Sequence, residues 1–124
     1  MLFRSALAQI ARQRAQGYRM FGIVTRDENN VEKIPSFVGF RYGEYLACGK
    51  IIYIDDLSTE AAARGQGHAS MLLDHVTQLA REMGCDAVEL DSGYTRNTAH
   101  RLYLNKGYDL VSHHFALNLK KAAR

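Results

Sequence analysis

Residues 57–69 read LSTEAAARGQGHA. An extended segment ends, a short loop follows, and Arg64-Gly65-Gln66-Gly67-His68-Ala69 opens a helix. Glycines let the backbone come close to a ligand and adopt φ values that other residues avoid. The first amides of a helix have no internal partner and point outward. With the helix dipole they form an anion site, and a pyrophosphate fits it without any acidic side chain. Arg64 adds charge or caps the loop. The stretch also admits a plainer reading, a glycine-rich helix start with no ligand. It contains neither G-x-x-x-x-G-K-[ST] nor G-x-G-x-x-G, which argues against a P-loop and a dinucleotide fingerprint.

Working outward from this stretch, periodicity gives the rest of the fold. Leu72, Val76, Leu79, Ala80 and Met83 fall on one helical face, and Gly84 is a natural stop. Before residue 57 the pattern is β: Met20–Val24, Ser36–Leu46 and Lys50–Thr59 form an antiparallel meander, with turns at Asp27–Asn30 and Gly49. Residues 2–16 carry Leu2, Phe3, Leu7, Ile10 and Ala11 at roughly helical spacing, closed by Gly17. After Gly84 come a short strand at Ala87–Asp91 and a helix at Asn97–Asn105 with Asn97 as N-cap. A last strand region is expected near residues 108–119. There are no repeats and no linker, so residues 1–124 read as one domain of α+β class.

Bulk properties narrow the function. The chain has 124 residues, 47% hydrophobic and 23% charged, which suits one globular core. Its net charge of +3 is spread along the sequence, and no basic stripe for nucleic acid stands out. No apolar run approaches the ~20 residues of a membrane span, and Met1-Leu2-Phe3-Arg4, without a long apolar region after it, does not read as a signal peptide. Cys48 and Cys85 lie in no metal-ligand spacing and read as reduced thiols of a cytoplasmic protein.

R-x-x-G-x-A between a strand and a long helix (Arg64, Gly67, Ala69) resembles the acetyl-CoA signature of the GNAT superfamily of N-acetyltransferases. Leu57, seven residues before the arginine, matches too, as do Ala99, Tyr103 and the pair Gly107-Tyr108 downstream. The resemblance covers roughly residues 18–119. DDLSTEAAARGQGHA, ELDSGYTR, AHRLYL and SHHFAL look like a bacterial subgroup without an assigned acceptor. Two departures stand out. The asparagine usual seven residues before the tyrosine is replaced by Arg96, with Asn97 one step later. The strand that normally opens the fold has no counterpart before the meander, so the sequence either starts late or reads as an N-terminally shortened GNAT domain.

The resemblance implies direct transfer of an acetyl group from acetyl-CoA, a co-substrate, to an amine of a small molecule or peptide, without a metal. A splayed third strand would offer backbone groups at Leu57, Ser58 and Thr59. Arg64, Gly65, Gln66, Gly67, His68 and Ala69 would hold the pyrophosphate, and Asn97 and Tyr103 would also touch the cofactor. Tyr103 is the candidate general acid for the thiolate, though its helical setting equally suits a core tyrosine. Asp56 and Asp55 are candidate bases. As successive strand residues they are expected on opposite faces. Asp91, His100, His113 and His114 are rivals. Neither cysteine suits an acyl carrier, so a ternary complex is expected. The alternative is a CoA-binding module of the same fold without catalysis. With no strand character in residues 1–17, the meander edge near Met20–Arg26 would be open, which favours a homodimer burying this edge or the C-terminal strands, the helix at residues 2–16 being the alternative cover.

Overall fold

A computed structural model describes residues 2–120, with side chains from residue 6 onward; Leu2 and Phe3, counted on the first helix's apolar face, lie outside the described side chains. The chain divides into two compact units, residues 1–90 and 91–124. The first holds α1 (Leu2–Ala15), β1 (Arg19–Arg26), β2 (Glu32–Tyr45), β3 (Gly49–Thr59), α2 (His68–Glu82) and β4 (Ala87–Leu90). The four strands form one sheet in the order β1-β2-β3-β4. The first three are an antiparallel meander, and β4 adds in parallel to β3. This is the α+β architecture expected, with a mixed, mostly antiparallel sheet.

The core lies between the sheet and α2. Val38, Phe40, Ile52 and Ile54 on the strands and Leu72, Leu73, Val76 and Ala80 on α2 are all buried. Burying one such aliphatic side chain stabilises by roughly 1.5–3 kcal/mol. At the near edge Phe21 packs its ring 5.3 Å from Phe40 and edge-on, 4.5 Å, to His75 of α2. That fixes which face of β2 meets α2: Val38 and Phe40 point toward it, and Gly39 and Arg41 point away.

Two irregularities shape the sheet. Opposite β1, the register shifts between Ile23 and Thr25, so Ile34 and Pro35 of β2 face Val24 alone. A bulge is where a strand tolerates a proline, which has no N–H for the ladder. This is how Pro35 comes to lie inside β2 rather than before it. Opposite β3, Gly39 pairs with Asp56 and Phe40 with Ile54. Asp55 is therefore an extra residue on β3, a β-bulge in the middle of the sheet.

The helix ends are set by glycine. Gly84 has φ +71°, its N–H donates to the Arg81 carbonyl, and the Cys85 N–H donates to the Ala80 carbonyl. That pair of bonds is the Schellman motif, which satisfies the last carbonyls of α2. The same pattern recurs at Gly17 after α1, where the Tyr18 N–H reaches the Gln13 carbonyl. β4 is then pinned to β3 by Asp86, whose N–H donates to the Lys50 carbonyl and whose Oδ2 accepts from the Lys50 N–H, at 2.7 and 3.0 Å.

The second unit holds α3 (Asn97–Asn105), followed by residues without regular secondary structure. Asn97 is the first residue of the helix rather than its N-cap. Arg96 takes the cap position and makes no side-chain cap bond. The strand expected near residues 108–119 is not formed. Residues 108–118 have no regular secondary structure, and Leu110, Val111, Phe115 and Leu117 are exposed. Alternating apolar residues specify a strand only when an edge pairs with it, and no partner strand is present among the described residues.

A Cβ at Gly39 would overlap the hydroxyl and ring of Tyr18, which is 2% exposed and packs across this position. Gly39→Ala is therefore expected to lower stability by about 1–3 kcal/mol, the usual cost of overpacking. Urea melts of the two proteins measure it; an unchanged midpoint would mean that Tyr18 does not fill this gap.

Candidate functional site

The chemistry-bearing residues of the first unit lie along β3 and at the start of α2. β3 pairs with β2 as far as Thr59 but with β4 only over Ile51–Ile54. On the β4 side, Asp55, Asp56, Leu57, Ser58 and Thr59 have no ladder partner among the described residues. Their backbone groups on that side are open to another molecule. Asp55 is an exposed residue although its side chain is only 20% exposed, so its exposure is main-chain. Ser58 and Thr59 are fastened on the other side, where the Ser36 hydroxyl donates to the Ser58 carbonyl at 2.9 Å and lies 2.8 Å from Thr59 Oγ1.

A 3₁₀ turn at Ala61–Ala63 leads to the glycine loop. Gly65 and Gly67 both have φ +79°, and a Cβ at either would meet open space. Gly67 is the N-cap of α2, with no capping side chain and no acidic residue in the first turn. The amides of His68, Ala69 and Ser70 thus open the helix with no capping group, facing a clear approach. His68 is buried, and its Nδ1 has no hydrogen-bond partner among the described residues. Leaving a buried polar atom unsatisfied costs about 1–3 kcal/mol, which a bound ligand can recover. Arg64 and Gln66 are exposed beside this opening.

Asp55 and Asp56 are not on opposite faces. The bulge adds a residue to β3, so the strict alternation assumed for successive strand positions fails there. Both carboxylates join one network on the sheet face away from α2. Asp55 Oδ2 accepts from Arg41 Nε at 2.8 Å. Asp56 Oδ2 accepts from the Tyr18 hydroxyl at 2.6 Å. The Arg41 guanidinium carbon lies 5.7 Å from the centre of the Tyr18 ring, which ties the two pairs together. Burial first, then the hydrogen bond to and charge of Asp56 and the charge of Asp55, push the Tyr18 phenol far above its usual range; Arg41 opposes this weakly. Tyr18 therefore remains a proton donor at any physiological pH. Sequence reasoning missed it, because a tyrosine after a helix-ending glycine carries no signal of a partner 38 residues on.

The thiols are not activated. Desolvation and the Glu89 carboxylate push Cys48 up, and desolvation and Asp86 push Cys85 up. Both are free cysteines.

In the second unit, Tyr103 is half-buried on α3, and burial raises its pKa, with Arg96 opposing. Gly107, at φ +94°, ends α3: its N–H donates to the Leu104 carbonyl and the Tyr108 N–H to the Tyr103 carbonyl. The rings of Tyr103 and Tyr108 lie 5.9 Å apart. The glycine–aromatic pair is thus a Schellman cap whose apolar contact seats Tyr103. Asn97 is exposed at the start of α3, and His100 is half-buried in its first turn. Asp91 lies 3.6 Å from His114, both largely in solvent, and His113 is exposed. No group of three or more histidine, cysteine or acidic residues able to hold a metal occurs among the described residues. No helix among them is long and apolar enough to cross a membrane.

Comparison with known proteins is consistent with this layout. An uncharacterized N-acetyltransferase of Bacillus subtilis (strain 168), YhdJ, is 41% identical over 68 residues, 54% of this chain and 48% of the relative. The match therefore spans about half of that relative. A putative acetyl transferase from Pyrococcus furiosus superposes with TM-score 0.69 and 26% identity, covering 95% of this chain and 72% of the other. An acetyltransferase from Trypanosoma brucei gives TM-score 0.74 at 22% identity over 91% of this chain and 78% of the other, a likeness of fold. The model of the acetyltransferase (GNAT) family matches residues 4–108, which spans the meander, the glycine loop and α3, and the chain belongs to that family.

Proposed function

We propose that this protein transfers the acetyl group of acetyl-CoA to a primary amine of a small molecule or peptide, by direct attack in a ternary complex. The observation that carries the reading is the start of α2: uncapped amides, two left-handed glycines with open space above them, and no acidic side chain. That opening fits a pyrophosphate. Arg64, Gly65, Gln66, Gly67, His68 and Ala69 would hold it, with Asn97 and Tyr103 as further contacts. The free side of β3 at Leu57, Ser58 and Thr59 would supply backbone partners to the pantetheine arm. Acetyl-CoA supplies the acetyl group as a thioester.

The chain's own residues then move protons. Asp56 takes one from the acceptor's ammonium, which frees the nitrogen lone pair to form the C–N bond. The C–S bond breaks with its electron pair on sulfur, and Tyr103 protonates that sulfur. The second nitrogen proton, lost as the amide forms, restores Tyr103 through solvent, and Asp56 returns its own proton to water. Asp55 is the weaker candidate base, because Arg41 already neutralises it. The high pKa of both cysteines suits a route without an acyl-cysteine. Two free thiols also suit a reducing compartment, the cytoplasm.

Incubating the protein with acetyl-CoA and a mixed amine panel is expected to release CoA thiol and give acetylated product by mass spectrometry. CoA binding without either product would identify a CoA-binding module instead. Gly67→Asp places a negative charge at the mouth of α2 and strains φ. CoA affinity by calorimetry is expected to fall at least tenfold, about 1.4 kcal/mol. Unchanged affinity in a folded variant would remove the site. Tyr103→Phe is expected to lower kcat by about 10²-fold or more with acetyl-CoA affinity nearly unchanged. Wild-type turnover would leave Tyr103 a purely structural partner of Tyr108.

The reading includes a homodimer. β1 is an edge strand, and Met20 and Val24 on it are exposed. Pairing with a second copy satisfies such an edge, and two-fold symmetry closes the assembly. Light scattering at micromolar concentration is expected to give twice the chain mass of 14.0 kDa. A clean monomer would exclude it.

A further inference from the structure

We propose that Tyr18 is a positioning residue of the transfer reaction: its hydroxyl holds Asp56 Oδ2, so that Oδ1 is the oxygen left to meet the acceptor's ammonium. The inference rests on the acetyl-transfer reading and on Asp56 as its base. It adds a residue outside the strand and loop motifs, in the link between α1 and β1.

Three observations converge on it. The first is the seat. Tyr18 is 2% exposed, and its ring and hydroxyl occupy the space that any side chain at position 39 would take. Gly39 is the residue of β2 that pairs with Asp56. The glycine therefore opens a gap directly across from the carboxylate, and Tyr18 fills it. The second is the fixing of the phenol from both ends. Its main-chain N–H is held by the Gln13 carbonyl in the α1 cap, and Arg41 flanks its ring. A buried, doubly held ring has little freedom, so the 2.6 Å bond to Asp56 dictates where that carboxylate points. The third is the division of labour at the bulge. Two adjacent carboxylates without partners would repel, and one would tend to take up a proton. Arg41 is bonded to Asp55, so the bulge carries one cation for two anions. Asp56 is left with a neutral donor and makes no ion pair among the described residues. A neutral donor orients an anion without cancelling its charge.

The groups facing Asp56 on this side of the sheet are Tyr18, Asp55 and Arg41; His75, on α2, packs on the other face against Phe21.

The test compares wild type with Tyr18→Phe, which keeps the ring and deletes the donor. Expected results are a fall in kcat of about tenfold or more with an unchanged KM for acetyl-CoA. A variant that melts lower but keeps the wild-type kcat would reduce Tyr18 to a packing residue and overturn the proposal. If Tyr18→Phe fails to fold, Asp56→Asn decides: the carbon NMR signal of Tyr18 Cζ must move when the carboxylate it bonds is replaced, and a Cζ signal blind to that replacement overturns the proposal. A wild-type protein that acetylates no amine fails at an earlier, separate step and overturns the acetyl-transfer reading, taking the catalytic role of Tyr18 with it.

Discussion

β3 has one residue too many for the strand beside it. Between the Phe40–Ile54 and Gly39–Asp56 pairs, Asp55 has no counterpart on β2, and the strand must bend to accommodate it. At the same point β4 leaves off, since its last pair is Leu90 with Ile54. From Asp55 onward the hydrogen-bonding groups that β4 would have used therefore have no ladder partner among the described residues, on a strand whose other side is still tied to β2. A rigid strand with one open side is a good way to present backbone donors, because β2 fixes their positions before any ligand arrives. The bulge also breaks the alternation of side chains, which is what brings two carboxylates to one face.

That placement has an electrostatic cost, and the neighbouring residues answer it. Two carboxylates one residue apart repel unless they are solvated or paired. Arg41, from the facing strand, takes Asp55. Its partial exposure keeps the pair in contact with water, so its contribution to stability is modest. Asp56 is served by a buried phenol instead. For the phenol to reach it, the strand between them must carry no side chain, and this is the physical reason for glycine at position 39. A sheet position with φ in the ordinary range does not ask for glycine; the near approach of Tyr18 does.

Much of the frame was legible in the sequence. Three apolar strands separated by turn residues, a helical face at Leu72, Val76 and Ala80, and glycines 17, 84 and 107 at helix ends are local signals. They depend on side-chain period and on φ, both of which a residue type states directly. The glycine loop was legible for the same reason, because positive φ at Gly67 and an uncapped helix start are local properties. The bulge was not. It is a relation between two strands, invisible in either strand alone, and reading Asp55 and Asp56 by simple alternation gave opposite faces. Tyr18 was hidden for the same reason: its partner is set by register. The tail failed in the other direction. Leu110, Val111, Phe115 and Leu117 have strand composition, but composition supplies only one side of a ladder, and those residues are exposed.

The pair Gly107-Tyr108 shows how a sequence signature can be structural in origin. Gly107 is there because the residue after the α3 cap must be left-handed, and Tyr108 is there because the Schellman turn brings the following residue back over the helix's last turns. The ring it covers is Tyr103, whose own carbonyl accepts the Tyr108 N–H. Both the main chain and the ring of Tyr103 are thereby held by one turn. Burial also raises the phenol's pKa, further above the neutral range in which a tyrosine is already protonated. The spacing from tyrosine to glycine–aromatic is thus the spacing of a helix cap. A helix that ended without it would leave Tyr103 on a fraying last turn, where its orientation would not be fixed.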